Sequence, residues 1–227
     1  MFWKEETEEQ DRFVVPDNVL DVVFAVKDCQ SLPAEHAHPL AEALHEALPW
    51  LSEEEQVGVH PIYGAESGNG WQRPDDPDAP IYISRRQKMT IRVPRERVDD
   101  IMQLTGQTLE ISGHSLTVGE AKTRLLSDLP TLFARNVATE QGIDEDTFLA
   151  QVMEELRALD IEVKKMMASI EREIRTPDGP LYTRGLMLAD LAQEDSVRLQ
   201  EQGLGPHRKL GCGLFVPQKG IKAVNPR

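Results

Sequence analysis

The stretch "LQEQGLGPHRKLGCGLFVPQKG", residues 199–220, decides how this chain is read. It sets Gly203, Gly205, Gly211 and Gly213 around His207, Arg208 and Lys209, then runs into a short apolar strand. Glycine carries no Cβ and tolerates positive φ, so such a backbone can come close to a bulky group. Phosphate is a natural guest beside Arg208 and Lys209. The Walker loop is excluded because its Gly-Lys-Ser/Thr ending is missing. The dinucleotide fingerprint is excluded because a strand follows where it needs a helix. A nucleotide-binding enzyme is therefore disfavoured. A helix cap with a tight turn accounts for Gly203 and Gly205 but leaves Gly211 and Gly213 unexplained.

Outward from the loop, "AQEDSVRLQEQGL" reads as a short helix closed by Gly203, and "CGLFVP" as the last strand. Upstream, "IEVKKMMASIEREIR" and "GPLYTRGLMLADL" read as strands meeting at Pro177-Asp178-Gly179. They follow a helix in "DEDTFLAQVMEELRAL" and a strand within "GEAKTRLLSDLPTLFARNVAT". The N-terminal half has the same order. A strand over 19–27 precedes a helix from about residue 35 to Leu48, with leucines at 40, 44 and 48. Next come a strand in "EEQVGVHPIYG", the loop "ESGNGWQRPDDPDAP", and extended structure in "IYISRRQKMTIRVP" with a turn at Arg86-Gln87. A helix over "RERVDDIMQLTG" and a hairpin turning at Ser112-Gly113 complete this half. The order β-α-β-β-α-β, given twice, predicts an α+β chain of two tandem ferredoxin-like domains of the RRM-like kind. The expected division is an acidic tail over 1–18, one domain over 19–119, and a second over 120–227 carrying the glycine-rich loop 203–213.

The chain has 227 residues and a net charge of −14. No apolar run approaches the roughly 20 residues a membrane helix needs, and the acidic start is unlike a signal peptide, so no membrane partner and a cytoplasmic place are expected. Cys29 and Cys212 stand alone in apolar surroundings, which fits reduced thiols better than a disulfide or zinc site. The acidity argues against nucleic acid only on average. "SRRQKMTIRVPRER", residues 84–97, holds six basic residues against one acidic, and residues 203–227 hold five against none. These pieces carry +10 together and leave −24 on the rest, the pattern of a basic face on an acidic body that steers a polyanion to one side.

A ferredoxin-like pair ended by a glycine-rich loop is the plan of the repeat-associated RAMP proteins. "LQEQGLGPHRKLGCGLFVPQKGI" closely resembles the end of the CRISPR repeat-processing endoribonucleases, the "Cas six" family, in its myxobacterial-type variant. "LPAEHAHPLAEALHEALPWL", "VGVHPIYGAESGNGW" and "ISRRQKMTIRVP" are similar to that variant's pattern, in order, so the resemblance spans almost the whole chain. It implies cleavage of precursor CRISPR RNA within each repeat, without metal or other cofactor. The products would be guide RNAs that load into an effector complex. The implied partners are repeat hairpin RNA, mature guide RNA and other effector subunits.

RNA supplies its own nucleophile in the 2′-OH. Cleavage then needs a base for that hydroxyl, an acid for the departing 5′-oxygen, and cations for charge developing on phosphorus. Histidine suits either proton role near neutral pH. The family's catalytic histidine lies between the first strand and first helix, where His36 falls, and His38 is the alternative two residues on. His45 shares a helix face with His38 and Glu42, a solvated stripe rather than a metal site. His60 is a candidate second group at the end of the second strand, His114 belongs to a hairpin, and His207 is a phosphate contact in the glycine loop. Among tyrosines, Tyr63 and Tyr82 are nearest the expected site. Arg85, Arg86, Lys88 and Arg92 alternate along a strand and are expected to meet RNA backbone, joined by Gly203, Gly205, His207, Arg208, Lys209, Gly211 and Gly213 of the loop. Arg95 and Arg97 are split between RNA and the nearby Asp99 and Asp100. Few aromatics are available for stacking, which favours recognition of a hairpin. Two other readings stand beside this one: a subunit that holds the guide hairpin without cutting, and an acidic scaffold for basic protein partners.

Overall fold

The computed structural model describes residues 13–64, 74 and 76–218. Residues 1–12 of the expected acidic tail, most of the loop 66–80, and residues 219–227 lie outside the described residues. The first half runs β1 (Val19–Lys27), β2 (Ser31–Pro33), α1 (Ala37–Ala47), β3 (Gly58–His60), β4 (Pro80–Tyr82), β5 (Lys88–Pro94), α2 (Val98–Met102), β6 (Thr108–Ile111) and β7 (His114–Leu125). The second runs β8 (Leu132–Ala138), α3 (Glu145–Ala158), β9 (Lys165–Thr176), β10 (Gly179–Ala189), α4 (Gln193–Gln202) and β11 (Val216–Pro217).

Two antiparallel sheets follow, ordered β3-β5-β1-β7-β6 and β11-β8-β10-β9. Alternation in β1 puts Val22, Phe24 and Val26 under α1, which returns Leu40 and Leu44 on its 3.6-residue stripe. Each fully buried leucine contributes about 1.5–3 kcal/mol. Leu132, Ala134, Leu186 and Leu188 of the second sheet pack in the same way on Phe148, Val152 and Leu156 of α3. Asp144 caps α3, accepting from the Thr147 N–H at 2.8 Å.

Several sequence expectations are corrected. The boundary near residue 120 falls inside β7, which continues to Leu125 because Leu20 and Asp21 pair with Leu125 and Arg124. "GEAKTRLLSDLPTLFARNVAT" therefore contributes to two strands, one in each sheet. The helix expected over 95–106 is a 3-10 turn, Arg95–Arg97, followed by only five α-helical residues. The run 81–94 is divided between β4 and β5, and β4 leaves the main sheet to pair with β2. At the β6–β7 turn, Ser112 and Gly113 both have positive φ, as a two-residue hairpin loop requires.

The halves are joined through polar groups rather than by apolar contact alone. Arg92 of β5 is fully buried. Its Nε and Nη2 donate to Asp21 at 2.8 and 3.2 Å, while Nη1 donates to the carbonyls of Gln200 and Phe215 in the second half at 2.9 and 3.0 Å. Leu214 packs over Gly58, where an added Cβ would fall 3.0 Å from its Cδ1. The expected role of Arg92 as an RNA contact is thus corrected. Alternation carries it to the same face as Lys88, but the second half covers that end of the strand.

Candidate active site between the two halves

Beside this junction lies a cavity of about 170 Å³. His36 and Tyr63 line it from the first half; Arg135, Asn136, Ser169 and Arg172 line it from the second. His36 is the residue before α1 and does not cap it. Its Nδ1 lies 2.8 Å from the Pro33 carbonyl, and its Nε2 accepts the Ile62 N–H at 2.9 Å. That pairing selects the tautomer with the proton on Nδ1. The ring thereby ties the start of α1 to the segment carrying Tyr63. The Arg135 guanidinium stacks on the Tyr63 ring, 4.3 Å from its centroid.

The second-half residues reach the cavity through paired irregularities that sequence reasoning missed. Register shifts between Arg184 and Leu186 on both sides of β10 set Arg135 and Asn136 of β8, and Ser169 and Ile170 of β9, opposite the single residue Gly185. Bulges re-aim side chains and recur beside functional sites. Gly185 is the small residue that admits them. Its N–H donates to Ser169 Oγ at 2.8 Å, and an added Cβ would lie 2.9 Å from that oxygen and 3.3 Å from the Arg135 carbonyl. An isolated glycine within a strand pattern was the available signal.

The remaining expected residues do not meet at this cavity. His38 lies 3.2 Å from Glu42 and lines a separate groove of about 860 Å³ with His45, His207 and Lys209. His60 is buried against Asp21, with its Nε2 4.0 Å from the carboxylate. Burial, then the neighbouring Arg92, pushes His60 down to about 3, so it is neutral and removed from proton transfer at ordinary pH. Burial raises the Asp21 pKa, but Arg92 and Arg124 together hold it below the usual carboxylate range. Tyr82 is 75% exposed on β4, away from the cavity lining. Arg85, Arg86 and Lys88 are exposed, as an RNA-facing role needs. Arg97 pairs with Asp100 at 2.9 Å and lies over Trp50, and Arg95 pairs with Asp17.

The glycine loop is mostly a piece of masonry. Gly203, Gly211 and Gly213 all have positive φ, and a Cβ on them would collide with Arg208, Pro61 and the Leu204 carbonyl respectively. Their missing side chains admit the protein's own atoms, so the expected approach to phosphate is corrected at these three positions. Arg208 donates to the carbonyls of Glu201 and Gln202 at the end of α4 and to Gln56 in the first half. Burial pulls its pKa down to about 10, leaving it charged. Such carbonyls at a helix C-terminus favour a cation. Lys209 Nζ donates to the Ser52 carbonyl at 2.6 Å. Gly205 and His207 remain on the groove wall. Among the described residues, no group of three or more His, Cys, Asp or Glu is arranged to hold a metal ion, and no helix is long and apolar enough to cross a membrane. Cys212 is buried and Cys29 half-buried; both are free thiols.

The architecture is shared with CRISPR-associated proteins. A structure described as a Cas6-related gene of Pyrococcus furiosus superposes with a TM-score of 0.57 at 15% identity, covering 90% of this chain and 99% of that one. The CRISPR endoribonuclease Cse3 bound to 19 nt RNA gives 0.50 at 12% identity, covering 87% and 96%. The family described as Cas6 Crispr matches residues 20–220. The CRISPR-associated endonuclease Cas6 of Myxococcus xanthus strain DK1622 is 32% identical over 198 residues, covering 87% of this chain and 81% of the relative. The chain belongs to the Cas6 family.

Proposed function

We propose that this protein is a metal-independent endoribonuclease that cuts precursor CRISPR RNA within its repeats to release guide RNA. The single observation that carries the site is the cavity where His36 and Tyr63 face Arg135 and Arg172 across the junction. Family membership, with a relative named as an endonuclease and a like-folded endoribonuclease bound to RNA, supports the activity. Each half is read as a ferredoxin-like unit: counted within its own half, each sheet has its main strands in the order 4-1-3-2 or its reverse.

In the reaction, the 2′-oxygen forms a bond to the adjacent phosphorus and the bond from phosphorus to the 5′-oxygen breaks, leaving a 2′,3′-cyclic phosphate. His36 takes the 2′-OH proton at Nε2, exchanging the bond it now accepts from Ile62 for one from the substrate. Catalytic hydrogen bonds often tighten only in the complex, so an engaged nitrogen in the free protein is compatible with this role. Tyr63, which lines the same cavity, is assigned the return of a proton to the departing 5′-oxygen. Arg135 and Arg172 supply the fixed positive charge that favours the crowded phosphorane. Arg85, Arg86 and Lys88, with His207 on the groove, hold the repeat hairpin and the guide product, which passes to the other effector subunits in the cytoplasm.

The test is cleavage of a labelled repeat hairpin in EDTA beside the same RNA with one 2′-deoxy sugar at the cut. Cutting of the first alone is expected. A metal requirement, or equal cutting of both RNAs, would end this mechanism. Binding without cutting would transfer the reading to a guide-holding subunit.

A further inference from the structure

The first sheet has one face under α1 and one turned away from it. On the far face, strand register places Lys88 opposite Ala25, Thr90 opposite Val23 and Val23 opposite Lys122, and Arg92 opposite Asp21 and Asp21 opposite Arg124. Lys27 follows two residues after Ala25, and so shares the face. Its Cε lies 3.1 Å from where Gly119 would place a Cβ, so the missing side chain leaves it room. Lys27, Lys88, Lys122 and Arg124 are all exposed, while the residues between them, Val23, Ala25 and Thr90, are short and half-buried. Three strands, distant in sequence, thus bring four cations onto one surface.

That surface stays net positive. Its one buried carboxylate, Asp21, is shared by Arg92 and Arg124, at 2.8 Å from Arg92 Nε and 2.9 Å from Arg124 Nη2, leaving the trio at +1. Arg124 remains 59% exposed beside it. At the far end, a pocket of about 560 Å³ lined by Ala25, Lys27, Asp28, Ser84 and Arg85 extends the surface toward the basic turn, with Asp28 offsetting one of its two cations. On a chain of net charge −14, a run of cations this dense is where a polyanion is steered.

We infer that this open face is a further RNA-binding surface, taking the phosphodiester backbone of the paired stem while the cavity holds the scissile phosphate. The inference rests on the endoribonuclease reading for its substrate but not for its readout. The face carries no aromatic side chain among the residues named, so it offers no stacking platform for unpaired bases. Paired RNA is recognised mainly through shape, phosphates and 2′-hydroxyls. Cations two strands apart are separated by about 10 Å, a reach suited to successive backbone contacts rather than to one small anion.

The experiment measures binding of a repeat hairpin, made uncleavable by a 2′-deoxy sugar at the cut, across a salt series, for wild type and for Lys27→Ala with Lys122→Ala. Both lysines are exposed, so the variant folds; thermal melting checks this. The log–log salt slope is expected to shallow by about two, with affinity at moderate salt falling about tenfold or more. A hairpin of unrelated sequence should show the same loss. An unchanged slope, or a loss confined to single-stranded RNA, overturns the inference. A protein that binds as described yet never cuts leaves this surface standing and removes only the catalytic reading.

Discussion

Arg92 Nε donates to Asp21 Oδ1 at 2.8 Å with both side chains withdrawn from solvent, and the same guanidinium holds two carbonyls of the opposite half. A residue that sequence reading assigns to RNA is therefore the bolt between the two sheets. Burying the pair costs desolvation that bonds on nearly every donor offset, which makes loss of one partner severe.

Arg92→Ala should lower stability by about 3–5 kcal/mol, because it leaves the buried Asp21 carboxylate to Arg124 alone and takes the donor from the Gln200 and Phe215 carbonyls. Urea unfolding measures it. Arg85→Ala with Arg86→Ala should leave the unfolding midpoint nearly unchanged and weaken hairpin affinity. The reverse pattern would return Arg92 to the RNA interface.

Acid should loosen this junction. The folded-state pKa of His60 is near 3 against about 6.5 unfolded, so the unfolded chain binds the extra proton between those values. Stability is then full above about pH 6.5 and falls as pH drops toward 3, by about 3 kcal/mol at pH 4 from this group alone. Asp21, also depressed, adds a loss at lower pH. His60→Gln should flatten the dependence of unfolding free energy between pH 6.5 and 4; an unchanged slope would contradict a neutral, buried imidazole.

Gly213→Ala sets a Cβ against the Leu204 carbonyl at positive φ, and should lower the melting temperature by several degrees. Gly205→Ala meets only the Glu155 carboxylate, at 3.9 Å, and carries just the left-handed backbone cost of about 1–2 kcal/mol. Equal destabilisation by both would argue that the loop's packing is not the reason for its glycines.

His36→Ala should reduce single-turnover cleavage at least about 100-fold, while hairpin affinity changes little. It also leaves the Ile62 N–H without its partner, which costs about 1–3 kcal/mol, so the assay belongs well below the melting temperature. Parallel loss of binding and cleavage would reassign His36 to holding the Ile62–Tyr63 segment in place.

Local patterning carried much of the architecture. Strand β1, helices α1, α3 and α4, and the turns at Ser112-Gly113 and Pro177-Asp178 were legible because a hydrophobic period or a required φ is written into neighbouring residues. Of the proposed site, His36 and Tyr63 were singled out from two separate segments of the sequence, and both line the one cavity. Arg135, Asn136, Ser169 and Arg172 were not, since a bulge beside Gly185 depends on which strands flank β10.

By itself the sequence determined most of the element order, the uneven division of charge and the family, while the small β2–β4 pair escaped it. Tertiary structure alone decided which cations face solvent. Arg92 and Lys88 share a strand face and differ only in what covers them, and Arg208 is claimed by the carbonyls at the end of α4. Periodicity is a local property of the chain, whereas the desolvation of a charge depends on residues more than a hundred positions away.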